Sequence, residues 1–130
     1  MQLYRPVGVA ELLLIAAADW RAFPPRLPDQ PIFYPVLRRD YAIQIARDWN
    51  TTDDASGHAG FVTGFEITPD CAARYRVEVV GGPEHQELWV PAEELDAFNE
   101  SLVGRIEVLD VFYGARYEGD RPPVRLTGGG

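Results

Sequence analysis

Hydrophobic positions fall into short runs whose spacing switches between a period of two and one near 3.6, and these switches divide the chain into strands and helices. Residues 2–7 read as an opening strand. Residues 9–19 follow as a helix that is apolar on nearly every side, which predicts burial of more than one face. Residues 20–31 carry four prolines and form a loop or extended connection. Residues 32–36 are a short apolar strand that Pro35 interrupts, as expected at a sheet edge or bulge. Asp40 then caps a second helix, with Tyr41, Ala42, Ile45, Ala46 and Trp49 on one face.

Residues 50–58 are small and polar, which predicts a surface loop. Phe61, Thr63, Phe65 and Ile67 share one side of the next strand, and Pro69 opens a short turn or helix through Ala73. Residues 74–80 alternate, which turns Tyr75, Val77 and Val79 inward and Arg74, Arg76 and Glu78 outward. Gly81-Gly82-Pro83 breaks the chain before a strand over 87–90. Pro91 opens a helix that buries Leu95, Phe98 and Leu102 and turns Glu93, Glu94, Asp96 and Glu100 outward, with Gly104 as its stop. Residues 105–113 form the last strand, whose inward face switches near Leu109-Asp110 and so predicts a bulge. Six strands and three helices result. The strands neighbour one another in runs, which predicts an α+β fold rather than a doubly wound sheet. Residues 1–114 make one domain and 115–130 a flexible polar tail.

Composition narrows the chemistry. Of 130 residues, 12 are basic and every one is Arg; Lys is absent, which removes Walker-A phosphate loops, Schiff bases and Ser-Lys dyads. Cys71 stands alone, Ser56 and Ser101 are the only serines, and His58 and His85 the only histidines. An internal disulfide, a cysteine zinc site and a serine triad all lack material. Asp53, Asp54 and His58 match no strong metal template, and no metal is expected. The net charge of −8 repels phosphate backbones, so nucleic acid is not an expected partner. No apolar run is long enough for a membrane span, and one unpaired cysteine fits a reducing cytoplasm.

Arginine, aromatic and carboxylate chemistry remains, and three places carry it. Arg5 ends the opening strand and offers the planar fork that suits a phosphate or ribose-phosphate, or else a surface ion pair. Phe33, Tyr34 and Tyr41 surround a strand end, either as core aromatics or as platforms for a planar ring. Glu87, preceded by His85 and Gln86, follows a glycine turn at the start of a strand. A carboxylate held there could orient a ribose hydroxyl and stabilise oxocarbenium-like charge, or it could belong to a solvated turn.

The order Arg5, Tyr34 and Tyr41, then Glu87 resembles the ADP-ribosyltransferases, which carry Arg or His in the first strand, Ser or Tyr in the middle and Glu on a later strand. Tyr4-Arg5-Pro6, Phe23-Pro24-Pro25-Arg26-Leu27-Pro28, Arg47-Asp48-Trp49-Asn50 and Glu87-Leu88-Trp89-Val90-Pro91 are similar to stretches of a group of small bacterial proteins labelled as an ADP-ribosylation family. The resemblance implies two packed, mainly antiparallel sheets with about three helices, and NAD as substrate. It gives Arg5 a phosphate or ribose contact, Tyr34 or Tyr41 a stack on nicotinamide, and Glu87 the ribose hydroxyl. His85 and Gln86 complete the implied cofactor pocket. Two departures stand out. His85 occupies the position two before Glu87 where many transferases have Gln or Glu, which puts arginine-directed transfer in question, and no serine lies between residues 2 and 55.

The leading expectation is therefore cleavage of the nicotinamide–ribose bond with transfer of ADP-ribose to an unidentified acceptor, a protein among the candidates. A catalytically silent module of the same fold that binds a protein partner is the alternative. A two-carboxylate hydrolase is a third, and it needs a second acid beside Glu87.

Overall fold

A computed structural model of the chain describes residues 1–119. Its secondary structure runs β1 (Gln2–Val7), α1 (Val9–Ala17), β2 (Ile32–Phe33), α2 (Arg39–Asp48), β3 (Ala59–Ile67), α3 (Pro69–Ala72), β4 (Val77–Val79), β5 (Gln86–Leu88), β6 (Val90–Pro91), α4 (Leu95–Glu100) and β7 (Leu102–Tyr113). Seven strands in antiparallel pairings and four α-helices make this an α+β fold among the described residues.

A strand buried on both faces lies at the centre. β3 pairs with β1 on one side and β7 on the other, and all its residues but Glu66 are buried. Phe61, Phe65 and Ile67 face a large core that Leu12 and Ile15 of α1 and Leu95 and Phe98 of α4 complete. Val62 faces the opposite way, into a smaller cluster with Val36, Ala42 and Ala46 under α2. That helix rides close because the contacts are small: a Cβ added at Gly60 would stand 2.5 Å from the carbonyl oxygen of Ala46.

The strip around Pro35 joins the pieces. Pro35 interrupts its strand as expected, and β2 ends at Phe33, pairing with β6. Val36, however, is bridged on both sides, to Tyr4 of β1 and to Glu87 of β5, so it lies inside the strand array rather than at its edge. Val36 N–H donates to the Tyr4 carbonyl at 2.7 Å, and Leu88 N–H donates to the Pro35 carbonyl at 2.9 Å. The β4–β5 hairpin is thereby attached to the central sheet one connection away from β1. The expected bulge in the last strand is present. Val62 faces Asp110 and Thr63 faces Val108, which leaves Leu109 as the extra residue.

Several local expectations are corrected. The first helix buries only Leu12 and Ile15, while Leu13 and Leu14 are exposed, because a single layer covers it. Trp49 lies beyond the helical face of Ala42 and Ala46 and is exposed. Asp40 sits in the first turn of α2, and Arg38 occupies the cap position without a side-chain cap. Val77 and Val79 are exposed, since among the described residues β4 pairs only with β5 and nothing covers their face; Tyr75 alone of that set packs on the core. The fourth helix ends at Glu100, and Gly104 instead sits within β7 at φ +76°, where the register with β3 slips. The segment expected to be a surface loop at 50–58 forms two 3-10 turns, Asn50–Thr52 and Asp54–Ser56, that bury Asn50 and Ser56. Of the expected tail, Tyr117 packs against Tyr113, and residues 120–130 lie outside the described residues. No helix among the described residues is long and apolar enough to cross a membrane.

Candidate functional site

Alternation along β1 places Leu3, Arg5 and Val7 on one buried face, so a guanidinium enters where the next residue inward would be apolar. Its charge is met at once. Glu11 in the first turn of α1 accepts from Arg5 Nε at 2.7 Å and from Nη2 at 3.0 Å, a bidentate pair, and Nη1 donates to the Tyr34 carbonyl at 3.5 Å. The guanidinium also lies over the Phe33 ring, 4.6 Å from its centroid. All three Arg5 nitrogens are therefore engaged.

Glu87 is held differently. Its place in β5 is set by the Val36 bridge and by pairing with Glu78. One carboxylate oxygen accepts from Trp89 Nε1 at 2.8 Å and the other from the Tyr41 hydroxyl at 3.2 Å. Among the described residues no basic side chain reaches ion-pair distance of it. Burial, then the charge of Glu87 and the hydrogen bond to it, raise the Tyr41 pKa, so this hydroxyl keeps its proton and remains a donor. The Tyr41 ring in turn stacks on His85 at 4.4 Å. His85, Tyr41 and Glu87 thus form a chain of contacts that fixes the carboxylate.

Arg5, Tyr34 and Glu87 all line one cleft of about 660 Å³, within the range of small-molecule sites. Tyr41, His85 and Gln86 lie outside that lining: the first two support Glu87, and Gln86 pairs with Val79 on β4. The ring presented to the cleft is Tyr34, 41% exposed. Trp49, Leu14 and Leu27, all exposed, join it around the same opening. Exposed apolar side chains beside buried charged ones are what small-molecule clefts combine.

The cleft also holds residues that sequence reasoning passed over. Arg26 projects from the proline-rich connection, with Nε donating to the Ile32 carbonyl at 3.2 Å. Burial, together with the nearby charge of Arg5, lowers its pKa. At the far wall Ser56 donates its one proton to Asp53 at 2.7 Å, so its oxygen must accept from Asn50 Nδ2 at 2.8 Å. That orients the Asn50 amide and leaves its buried Oδ1 without a partner among the described residues. Gly8 permits this wall, since a Cβ there would meet Ser56 at 2.6 Å. The polarity of residues 50–58 was visible in the sequence; their inward turn was not.

Among the described residues no three metal-ligating side chains cluster, and Asp54 with His58 at 2.8 Å is a pair. No family model, curated protein or solved structure matches the chain.

Proposed function

We propose that the cleft takes NAD and that Glu87 holds a ribose hydroxyl while the nicotinamide–ribose bond breaks, with ADP-ribose passing to an acceptor. The observation that supports this reading is the convergence of Arg5, Tyr34 and Glu87, from three distant segments, on one cleft. In the reaction the C–N glycosidic bond breaks with its electron pair leaving on the nicotinamide nitrogen, whose positive charge is thereby cancelled. The acceptor's nucleophile then bonds to the anomeric carbon and gives up a proton. Glu87, 9% exposed and anchored by two donors, contributes a fixed negative charge near the developing oxocarbenium. Tyr34 offers a face for the nicotinamide ring.

Incubation with NAD and chromatographic detection of free nicotinamide tests the reading. Release is expected from the native chain and is expected to fall about 10²- to 10³-fold in Glu87→Ala, with the circular dichroism spectrum retained. No release and no NAD binding at millimolar concentration would overturn it.

A second reading, a silent module that binds a protein partner, draws on two features. Arg5 is already engaged by Glu11 and the Tyr34 carbonyl, and the rim residues Leu14, Leu27 and Trp49 are apolar and exposed. It expects Glu87→Ala to leave association intact and Trp49→Ala to weaken it.

A further inference from the structure

The two arginines of the cleft differ in what their charges meet. Arg5 has a carboxylate at 2.7 Å. Among the described residues Arg26 has none within ion-pair distance and one side-chain hydrogen bond, through Nε, which leaves both Nη groups unpaired there. Both guanidiniums approach the Phe33 ring, Arg5 to 4.6 Å and Arg26 to 6.0 Å. Arg26 is thus a partly desolvated cation beside a second cation whose own charge is already answered. Desolvation without a counter-charge is a cost that an anionic ligand removes.

The position of Arg26 is built. Phe23 is buried between Phe33 and Phe65, and Asn99 clamps its backbone from both sides, accepting from Phe23 N–H at 2.9 Å and donating to the Phe23 carbonyl at 3.0 Å. Pro24 and Pro25 then fix the chain direction into Arg26. Beyond it, Gln30 closes a turn onto Leu27 through both its backbone and its side chain. The free edge of the guanidinium is therefore presented with little entropy left to lose.

We infer that Arg26, with Arg5 as its positioning neighbour, is the anion contact of the cleft, and that it takes the diphosphate of a nucleotide whose ring lies on the aromatic rim. The Nη1 and Nη2 pair matches two oxygens of a phosphate group. Tyr34 and Trp49 at the rim of the same opening supply ring faces, which favours a nucleotide over a free inorganic anion. The inference rests on the NAD reading in its choice of ligand, while the anion contact stands on the charges alone. It moves the phosphate role from Arg5, the residue the motif order singled out, to a residue of the proline-rich connection.

Calorimetric titration with inorganic pyrophosphate, ADP and adenosine tests it. Pyrophosphate and ADP are expected to bind the native chain, and Arg26→Gln to weaken both about tenfold to a hundredfold. Arg38→Gln, a change at an exposed arginine outside the cleft, serves as the charge control and leaves both unchanged. Tyr34→Ala weakens ADP and spares pyrophosphate; equal losses, or none, would remove the ring contact and leave a site for the free anion. Should Arg26→Gln fail to fold, Arg26→Lys, which keeps the charge without the fork, is expected to lose several-fold. Pyrophosphate that ignores the native chain, or that binds Arg26→Gln as it binds Arg38→Gln, overturns the inference. The two readings part cleanly: pyrophosphate binding without nicotinamide release keeps Arg26 and loses the reaction, whereas release at unchanged KM in Arg26→Gln does the reverse.

Discussion

Arg5 and Glu87 are equally buried, at 9% exposure each, and they line one cleft, yet their charges are treated in opposite ways. Arg5 meets a carboxylate through two short hydrogen bonds. Glu87 meets an indole N–H and a phenol O–H, both neutral. A cancelled charge contributes geometry and little field; an uncancelled one keeps a field that a substrate can feel. The Arg5 end therefore reads as the joint that ties β1 to α1, and the Glu87 end as the group placed to act. Arg26 falls on the Glu87 side of this division.

The largest effect should come from unmaking the joint. Glu11→Gln strips the counter-charge from a nine-tenths buried guanidinium and is expected to cost about 3 kcal/mol of folding stability, read from urea unfolding. The mirror change, Glu87→Gln, removes an unanswered buried charge and keeps the shape; it should move stability by less than about 1 kcal/mol, even as the proposed nicotinamide release collapses. A Glu11→Gln chain as stable as the native one would erase the contrast, because Arg5 would then be tolerating its burial without help.

A smaller effect separates the two donors at Glu87. Tyr41→Phe and Trp89→Phe each delete one hydrogen bond and should each cost about 1 kcal/mol. The double change should cost more than the sum, because only then does the carboxylate lose every protein donor. Strict additivity in a denaturant series would mean that water already serves Glu87, and that its charge is less confined than its burial suggests.

How far these contrasts could be read from the chain depends on what each residue's place requires. Arg5 and Glu87 stand at strand positions, where alternation and a neighbouring break state which way a side chain faces, and Tyr34 directly follows the end of β2. The Leu109 bulge was legible for the same reason, since a face switch inside one strand needs an extra residue. Partners at long sequence distance were not legible. Glu11 drew no attention in a nearly apolar helix, and only the packing of α1 beside β1 turns it into the answer to Arg5. Arg26 sat in a connection that four prolines marked as irregular, and prolines define a local direction without naming its destination. Val77 and Val79 show the reverse failure. Their alternation was correct as a strand signal, but alternation cannot tell whether a second layer covers the apolar face, and among the described residues none does.

The smallest effect belongs to protons at Tyr41. Its pKa is raised above the ordinary tyrosine value near 10, by burial first and then by the charge of Glu87 and the hydrogen bond donated to it. Because the folded pKa lies above the unfolded one, the neutral hydroxyl stabilises the fold fully below about pH 10. That contribution fades as pH rises through the folded value. Ultraviolet titration of tyrosinate should show Tyr41 ionising late in the difference between the native chain and Tyr41→Phe, a blank that cancels the late ionisation of partly buried Tyr75. Glu87→Gln should bring that ionisation down without returning it fully to the ordinary range, since burial, the larger cause, survives the substitution. Neither Arg5 nor Glu11 contributes to the raised Tyr41 pKa, so Glu11→Gln should leave the Tyr41 titration close to where it was. A titration that moved equally with either glutamate would mean that the two ends share one field, and the division between joint and acting group would have to be withdrawn.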